Sequence, residues 1–197
     1  MSLLIKICGL RDRRDVANAV EAGAGALGFV FAESHRKVTP AIARSISEHV
    51  PGDVKRVAVM LHPADDEWQD VLETFKPDVL QTDAGDFDDL EVPSSVECWP
   101  VFREGQSRPD TPGTYVYEGP KSGQGETVNW SAAAELARSG RMVLAGGLSA
   151  ENVATAIRTV RPFGVDVSSA VESAPGQKDS ALIREFISVA KAAEKYL

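Results

Sequence analysis

Short apolar runs alternate with helical periodicity along nearly the whole chain, and strand–helix alternation of this kind demands a parallel sheet covered by helices. Residues 3–8 form the first apolar run. Asp12 can then cap a helix in which Val16, Ala19 and Val20 share a face, and Gly23 stands where a left-handed stop is wanted. A second unit repeats the pattern. Residues 26–31 are a strand, 32–38 a loop, and Thr39 with Pro40 makes a cap and first-turn pair ahead of Ile42 and Ile46. Residues 56–60 are a third strand. Trp68, Val71, Leu72 and Phe75, at i, i+3, i+4, i+7 spacing, predict one helix ended by Pro77.

The middle of the chain is less regular. Residues 79–81 open a fourth strand, but the acidic stretch 85–90 supports only a weak or short helix. Residues 96–102 are a fifth strand interrupted by Pro100, and the turn residues from Gly105 to Gly113 leave no place for a fifth helix. Periodicity then returns. A sixth strand spans 114–118, a glycine-containing loop 119–125 and an alanine-rich helix 130–138, stopped at Gly140. The seventh strand spans 142–145, Ser149 caps a helix carrying Val153, Ala156, Ile157 and Val160, and the eighth strand spans 165–168. Asp179 starts a last helix with Leu182, Ile183, Phe186 and Ile187 inward.

Eight strands spaced about 25 residues apart imply an α/β chain folded as a single (β/α)8 TIM barrel, with weak or missing helices after strands 4 and 5. Residues 1–197 are read as one domain, and an open flavodoxin-like sheet is the alternative architecture. A chain of 197 residues is long enough for one sizeable core, and 43 % hydrophobic with 25 % charged residues excludes the disordered classes.

The charge balance narrows the partners. Twenty-one Lys and Arg against 29 Asp and Glu give a net charge of −8, with no basic cluster, so nucleic acid is not expected to bind. A small anion remains compatible, because helix-start amides hold phosphate without net positive charge. No run approaches the ~20 apolar residues of a bilayer span, so no membrane partner is expected. The opening apolar run has no charged leader or cleavage pattern, and the two cysteines, Cys8 and Cys98, are too few for a disulfide framework. A cytoplasmic monomer or homodimer is expected.

Barrel enzymes place their chemistry at the C-terminal ends of the strands. Those ends carry Cys8, Phe31, Gln81, Arg103, Glu118, Gly146-Gly147 and Ser168-Ser169. The paired glycines let backbone N–H groups approach a ligand, and the paired serines add hydroxyls and amides, so Gly146, Gly147, Ser168 and Ser169 make the two halves of a phosphate cradle. No GxxxxGK[ST] or GxGxxG pattern occurs, which disfavours nucleotide cofactors.

Cys8 alone reads as a small core hydrophobe unless something favours its thiolate. Lys6, of the same strand parity, is a candidate, although its own inward burial opposes this. Glu118 ends a strand among Tyr115, Val116 and Tyr117, where a semi-apolar rim would keep its carboxyl protonated, as a general acid requires. The plainer reading is a solvated strand-end carboxylate. Arg36 has a planar fork suited to a substrate carboxylate, or is simply exposed. His35, His49 and His62 lack metal-ligand spacing, so no metal is expected, and the serines lack a G-x-S-x-G elbow.

Taken in order, Lys6-Ile7-Cys8-Gly9-Leu10, Leu27-Gly28-Phe29-Val30-Phe31, Ser34-His35-Arg36, Leu144-Ala145-Gly146-Gly147-Leu148 and Asp166-Val167-Ser168-Ser169-Ala170-Val171-Glu172 resemble the phosphoribosylanthranilate isomerase family. The resemblance runs from the first strand to the last helix. It implies an Amadori rearrangement of N-(5-phosphoribosyl)anthranilate in tryptophan biosynthesis, without a cofactor. Glu118 would be the acid that opens the sugar and Cys8 the base that removes the C2′ proton. Arg36 would bind the anthranilate carboxylate, Asp166 would face the substrate, and the glycine and serine pairs would hold the phosphate.

Four positions depart from the family pattern. Glu118 replaces an aspartate, Asp83 a histidine in the segment Gln81-Thr82-Asp83-Ala84, Pro100 a lysine, and Ala170 a glycine. These changes leave two alternatives open: a related aminoaldose isomerase of histidine synthesis, and a catalytically impaired phosphosugar-binding barrel.

Overall fold

The computed structural model describes residues 2–106, 113–120 and 127–197. Eight parallel strands close into a barrel in chain order: β1 (Leu4–Cys8), β2 (Ala26–Val30), β3 (Lys55–Val59), β4 (Val79–Asp83), β5 (Glu97–Arg103), β6 (Thr114–Glu118), β7 (Arg141–Leu144) and β8 (Gly164–Val167). The seam is a β1–β8 ladder that pairs Leu4 with Gly164 and Ile7 with Val167. An open sheet would leave those two strands as edges, so the flavodoxin-like alternative is excluded.

Among the described residues six α-helices cover the barrel: α1 (Arg13–Ala22), α2 (Pro40–Ile46), α3 (Asp65–Asp70), α4 (Trp130–Ala137), α5 (Val153–Val160) and α6 (Ser180–Ala193). The starts of α1, α2 and α6 follow from cap chemistry. Asp12 accepts from the Asp15 N–H at 2.9 Å, Thr39 from Ile42 at 3.3 Å, and Asp179 from Ala181 at 2.7 Å. Helix α1 ends at Gly23, with φ of 98°.

Strand alternation sorts the side chains into two cores. Val57, Val79, Trp99, Val116 and Val143 fill the barrel interior. Ile7, Leu27, Phe29, Leu80 and Val165 point outward under the helices, where they meet Val16, Ile157 and Phe186.

The structure corrects several local expectations. Pro100 does not interrupt β5: the ladder to β4 runs through it, and the ladder to β6 begins only at Val101, so the missing N–H falls before that pairing. The helix expected through Phe75 changes pitch at Val71, and the wider turn Val71–Phe75 seats Phe75 against Phe29, ring centroids 5.1 Å apart. Ser149 does not cap α5. Its N–H donates to the Asn152 side chain in the turn before the helix.

After β4 there is only a 3-10 turn, Ala84–Asp88. No helix lies between β5 and β6 among the described residues, and residues 107–112 fall outside them, as do residues 121–126 of the loop expected at 119–125. A hairpin not foreseen in the sequence, β9 (Glu172–Ala174) with β10 (Gln177–Lys178), follows β8. Among the described residues no helix is long and apolar enough to cross a membrane.

The seam sets a steric requirement. A Cβ at Gly164 would lie 2.8 Å from the Leu4 carbonyl oxygen, and backbone in a closed ladder has little room to retreat. Gly164→Ala is expected to cost about 1–3 kcal/mol, as overpacking of a close contact does. Thermal melting would show this as a drop of several degrees, and an unchanged Tm would disprove the constraint.

Candidate active site

The strand ends open into one cavity of about 430 Å³, lined by groups that include Cys8, Arg36, Gln81, Arg103, Glu118 and Asp166. Gly146, Gly147, Ser168 and Ser169 line the same cavity. Of the strand-end residues selected from the sequence, all but Phe31 reach this space; Phe31 packs in the core against Phe75 instead.

Cys8 is the last residue of β1 and is 7 % exposed. Gly28 faces it across the ladder, and a Cβ there would lie 2.8 Å from the sulfur, so the glycine makes room for the thiol. Burial pushes the Cys8 thiol up, Lys6 draws it down, and Asp166 pushes it up again; the net direction is upward. Lys6 favours the thiolate, as its strand parity suggests, but burial of the thiol outweighs it. Its Nζ is fully buried and lies 3.0 Å from Asp166 Oδ1, so much of its charge is committed to that carboxylate. Burial works against the Lys6 ammonium, but Asp166 and then Cys8 outweigh it and hold the ammonium charged.

Glu118 meets a different environment from the apolar rim expected of it. Arg103 is its register partner on β5, so both side chains face the same way, and Arg103 Nε lies 3.1 Å from Glu118 Oε1. The two Nη groups of Arg103 grip Asp83 at 2.6 and 2.7 Å. A cross-strand cation thus stands beside the carboxyl. Beyond Asp83, His62 Nδ1 lies 2.8 Å from Asp86, and Asp86 accepts from Thr82.

Arg36 is likewise engaged. Its Nε and Nη2 donate to Glu172 at 2.7 and 2.9 Å, and Lys178 Nζ donates to the same carboxylate at 2.8 Å. The guanidinium keeps its remaining edge for a ligand while Glu172 sets its plane. Lys178 also donates to the Ser168 carbonyl at 2.9 Å and so ties the hairpin to the end of β8.

The phosphate-type loops are shaped by backbone. Gly146 and Gly147 have φ of 89° and 60°, a conformation other residues adopt poorly, and Asn152 Nδ2 donates to the Gly147 carbonyl at 2.8 Å. Ser168 Oγ donates to the Cys8 carbonyl at 3.1 Å, which leaves its lone pairs rather than its hydrogen toward other groups. Ser169 opens a 3-10 turn, Ser169–Val171.

Sequence reasoning missed Asp83, Glu172 and Lys178 as parts of this constellation, and did not pair Arg103 with Glu118. For Arg103 the signal was strand parity, since inward residues of adjacent strands meet. For Glu172 and Lys178 periodicity gave no signal, because a short hairpin carries them; only their place in the family-like segment after β8 marked them.

Two carboxyls titrate in opposite directions. Burial opposes ionisation of Glu172, but hydrogen bonds from Arg36 and Lys178 outweigh it and hold its pKa at about 2. Its stabilising effect is complete above the ordinary 4.5 and is lost as pH falls through about 2. Asp15 is pushed up to about 6, first by burial and then by Asp12. It favours the folded state at low pH, and that contribution is lost as pH rises through about 6. Glu172→Gln is expected to lower stability at pH 7 by about 2–3 kcal/mol, and to flatten its rise between pH 2 and 4.5. Denaturant titration across that range checks this, and a wild-type slope in the variant refutes it.

The chain is similar to known proteins along nearly its whole length. Residues 5–189 match the family model described as N-(5'phosphoribosyl)anthranilate (PRA) isomerase. A relative of that name from Pelobacter propionicus is 42 % identical over 202 residues, covering 95 % of each chain. The phosphoribosyl anthranilate isomerase structure from Thermus thermophilus superposes with a TM-score of 0.84 at 30 % identity, over 96 % of this chain and 99 % of the other. A structure of such an isomerase in complex with reduced 1-(o-carboxyphenylamino)-1-deoxyribulose 5-phosphate superposes with a TM-score of 0.79 at 31 % identity, over the same shares. This chain belongs to the N-(5'-phosphoribosyl)anthranilate isomerase family.

Proposed function

We infer that this chain converts N-(5'-phosphoribosyl)anthranilate to 1-(2-carboxyphenylamino)-1-deoxyribulose 5-phosphate, a step of tryptophan biosynthesis. The observation that carries the reading is the convergence of Cys8, Glu118 and the two phosphate-type loops on one cavity in a chain of this family.

The reaction needs one acid and one base. Glu118 gives a proton to the furanose oxygen, the C1′–O bond breaks, and the nitrogen lone pair forms a protonated Schiff base. Cys8 thiolate then removes the C2′ proton, and the electron pair moves toward nitrogen to give an enolamine. The Cys8 thiol returns its proton to C1′ while the C2′ hydroxyl proton passes to the Glu118 carboxylate, which produces the ketone and restores the starting acid and base. The phosphate rests between Gly146-Gly147 and Ser168-Ser169, Arg36 receives the anthranilate carboxylate on the edge Glu172 leaves open, and Asp166 faces the substrate beside Cys8. Residues reach the substrate from both sides of the barrel mouth, which converts proton transfers into oriented, intramolecular steps.

The buried thiol has a consequence for pH. Because the working base is the thiolate and burial raises the thiol, kcat/KM is expected to increase with pH as Cys8 ionises. Cys8→Ala and Glu118→Gln are each expected to reduce kcat/KM by about 10²–10⁴-fold, the usual worth of a general acid or base, with Tm nearly unchanged. Fluorescence decay of the substrate measures this. Turnover equal to wild type in both variants would remove them from the chemistry, whereas an inactive wild-type protein would overturn the isomerase reading itself.

A further inference from the structure

The Arg103 guanidinium is a group the two-residue acid–base scheme leaves unused. It stands at the cavity wall, its side chain 11 % exposed, between two carboxyl groups that are themselves 17 % and 14 % exposed. Its three nitrogens are divided. Both Nη groups hold Asp83 on β4 and Nε holds Glu118 on β6, so three consecutive strands are joined across the barrel mouth by one planar group.

An arginine held by a bidentate fork has little freedom left, because both in-plane directions of the guanidinium are set by Asp83. The Nε edge is then fixed in place, with Glu118 Oε1 3.1 Å away. This is an orienting arrangement for a side chain that is one methylene longer than aspartate and has one more rotatable bond to restrain. The same placement acts on charge. When Glu118 gives its proton to the ring oxygen, a full negative charge appears on a carboxylate in a largely buried wall, and a fixed cation 3.1 Å away stands where that charge develops. Stabilisation that grows as the proton leaves lowers the barrier rather than the ground state.

We propose that Arg103 is a positioning residue for the acid step, that Asp83 acts through it, and that the Asp83–Arg103–Glu118 chain across β4, β5 and β6 accommodates the longer acid in this protein. The proposal rests on the isomerase reading. Its distinctive feature is the order of dependence: Asp83 influences Glu118 only by way of Arg103.

The test is a double-mutant cycle in the full chain. Arg103→Leu is expected to lower kcat at least tenfold with KM changed less than threefold, Arg103→Lys to restore part of kcat, and Asp83→Asn to lower kcat by a smaller factor. In the Arg103→Leu background, Asp83→Asn should have no further effect on kcat. Tm and the affinity for a reduced product analogue, read by calorimetry, separate positioning from loss of the fold or of the binding site. Wild-type turnover in Arg103→Leu, a KM-only change, or independent multiplication of the two effects overturns the proposal while leaving the isomerase reading intact. Absence of turnover in the wild-type protein removes both.

Discussion

The Lys6–Asp166 ion pair is the interaction on which the upper half of the barrel depends. The two residues are register partners across the β1–β8 seam, where the sheet closes on itself, and Lys6 is completely buried. An ammonium in that position is tolerable only with a carboxylate in contact, and removing one member of such a pair typically costs about 3–5 kcal/mol, because the other is left buried and unpaired. Val57, Val79, Trp99, Val116 and Val143 pack within the same interior. Cys8 is the next inward residue on β1. Asp166 itself lines the cavity, so the pair links the strand seam to the site.

The cavity wall continues the same logic with two further cation–carboxylate arrangements. Arg36 and Lys178 converge on Glu172 on one side, and Arg103 bridges Asp83 and Glu118 on the other. Each cation is neutralised by acids from another strand or loop, so side chains that would repel or wander are held in fixed orientations. This helps to explain how a chain of net charge −8 assembles a site for a phosphorylated, carboxylated substrate. Arg36 and Arg103 are the cations that line the cavity, and each is set in place by a carboxyl group beside it.

The four departures from the family pattern are not equivalent once placed. Pro100 lies within β5 at a point where the second ladder has not begun, so its cost is small. Ala170 lies within the 3-10 turn Ser169–Val171 and is not among the residues with positive φ, so a methyl group there carries no backbone strain. Asp83 and Glu118, in contrast, are linked through Arg103. Taken singly they are a lost histidine and a displaced acid; in the structure they are joined through the ion pairs of one guanidinium.

Much of the fold was legible because strand and helix periodicities are local. The alternation of runs, the caps at Asp12, Thr39 and Asp179 and the glycine stop of α1 are set by residues within a few positions of one another. The residue types gathered at the strand ends could be read for the same reason, since inward parity follows from counting along one strand. What the sequence could not convey is who meets whom. The pairing of Lys6 with Asp166 spans 160 residues and that of Arg36 with Glu172 spans 136, and both exist only because the sheet closes and the β9–β10 hairpin folds back. Sequence by itself determined which groups face inward and at what level; tertiary structure alone decided their partners, because register across a closed barrel is a property of the whole ladder and of no single segment.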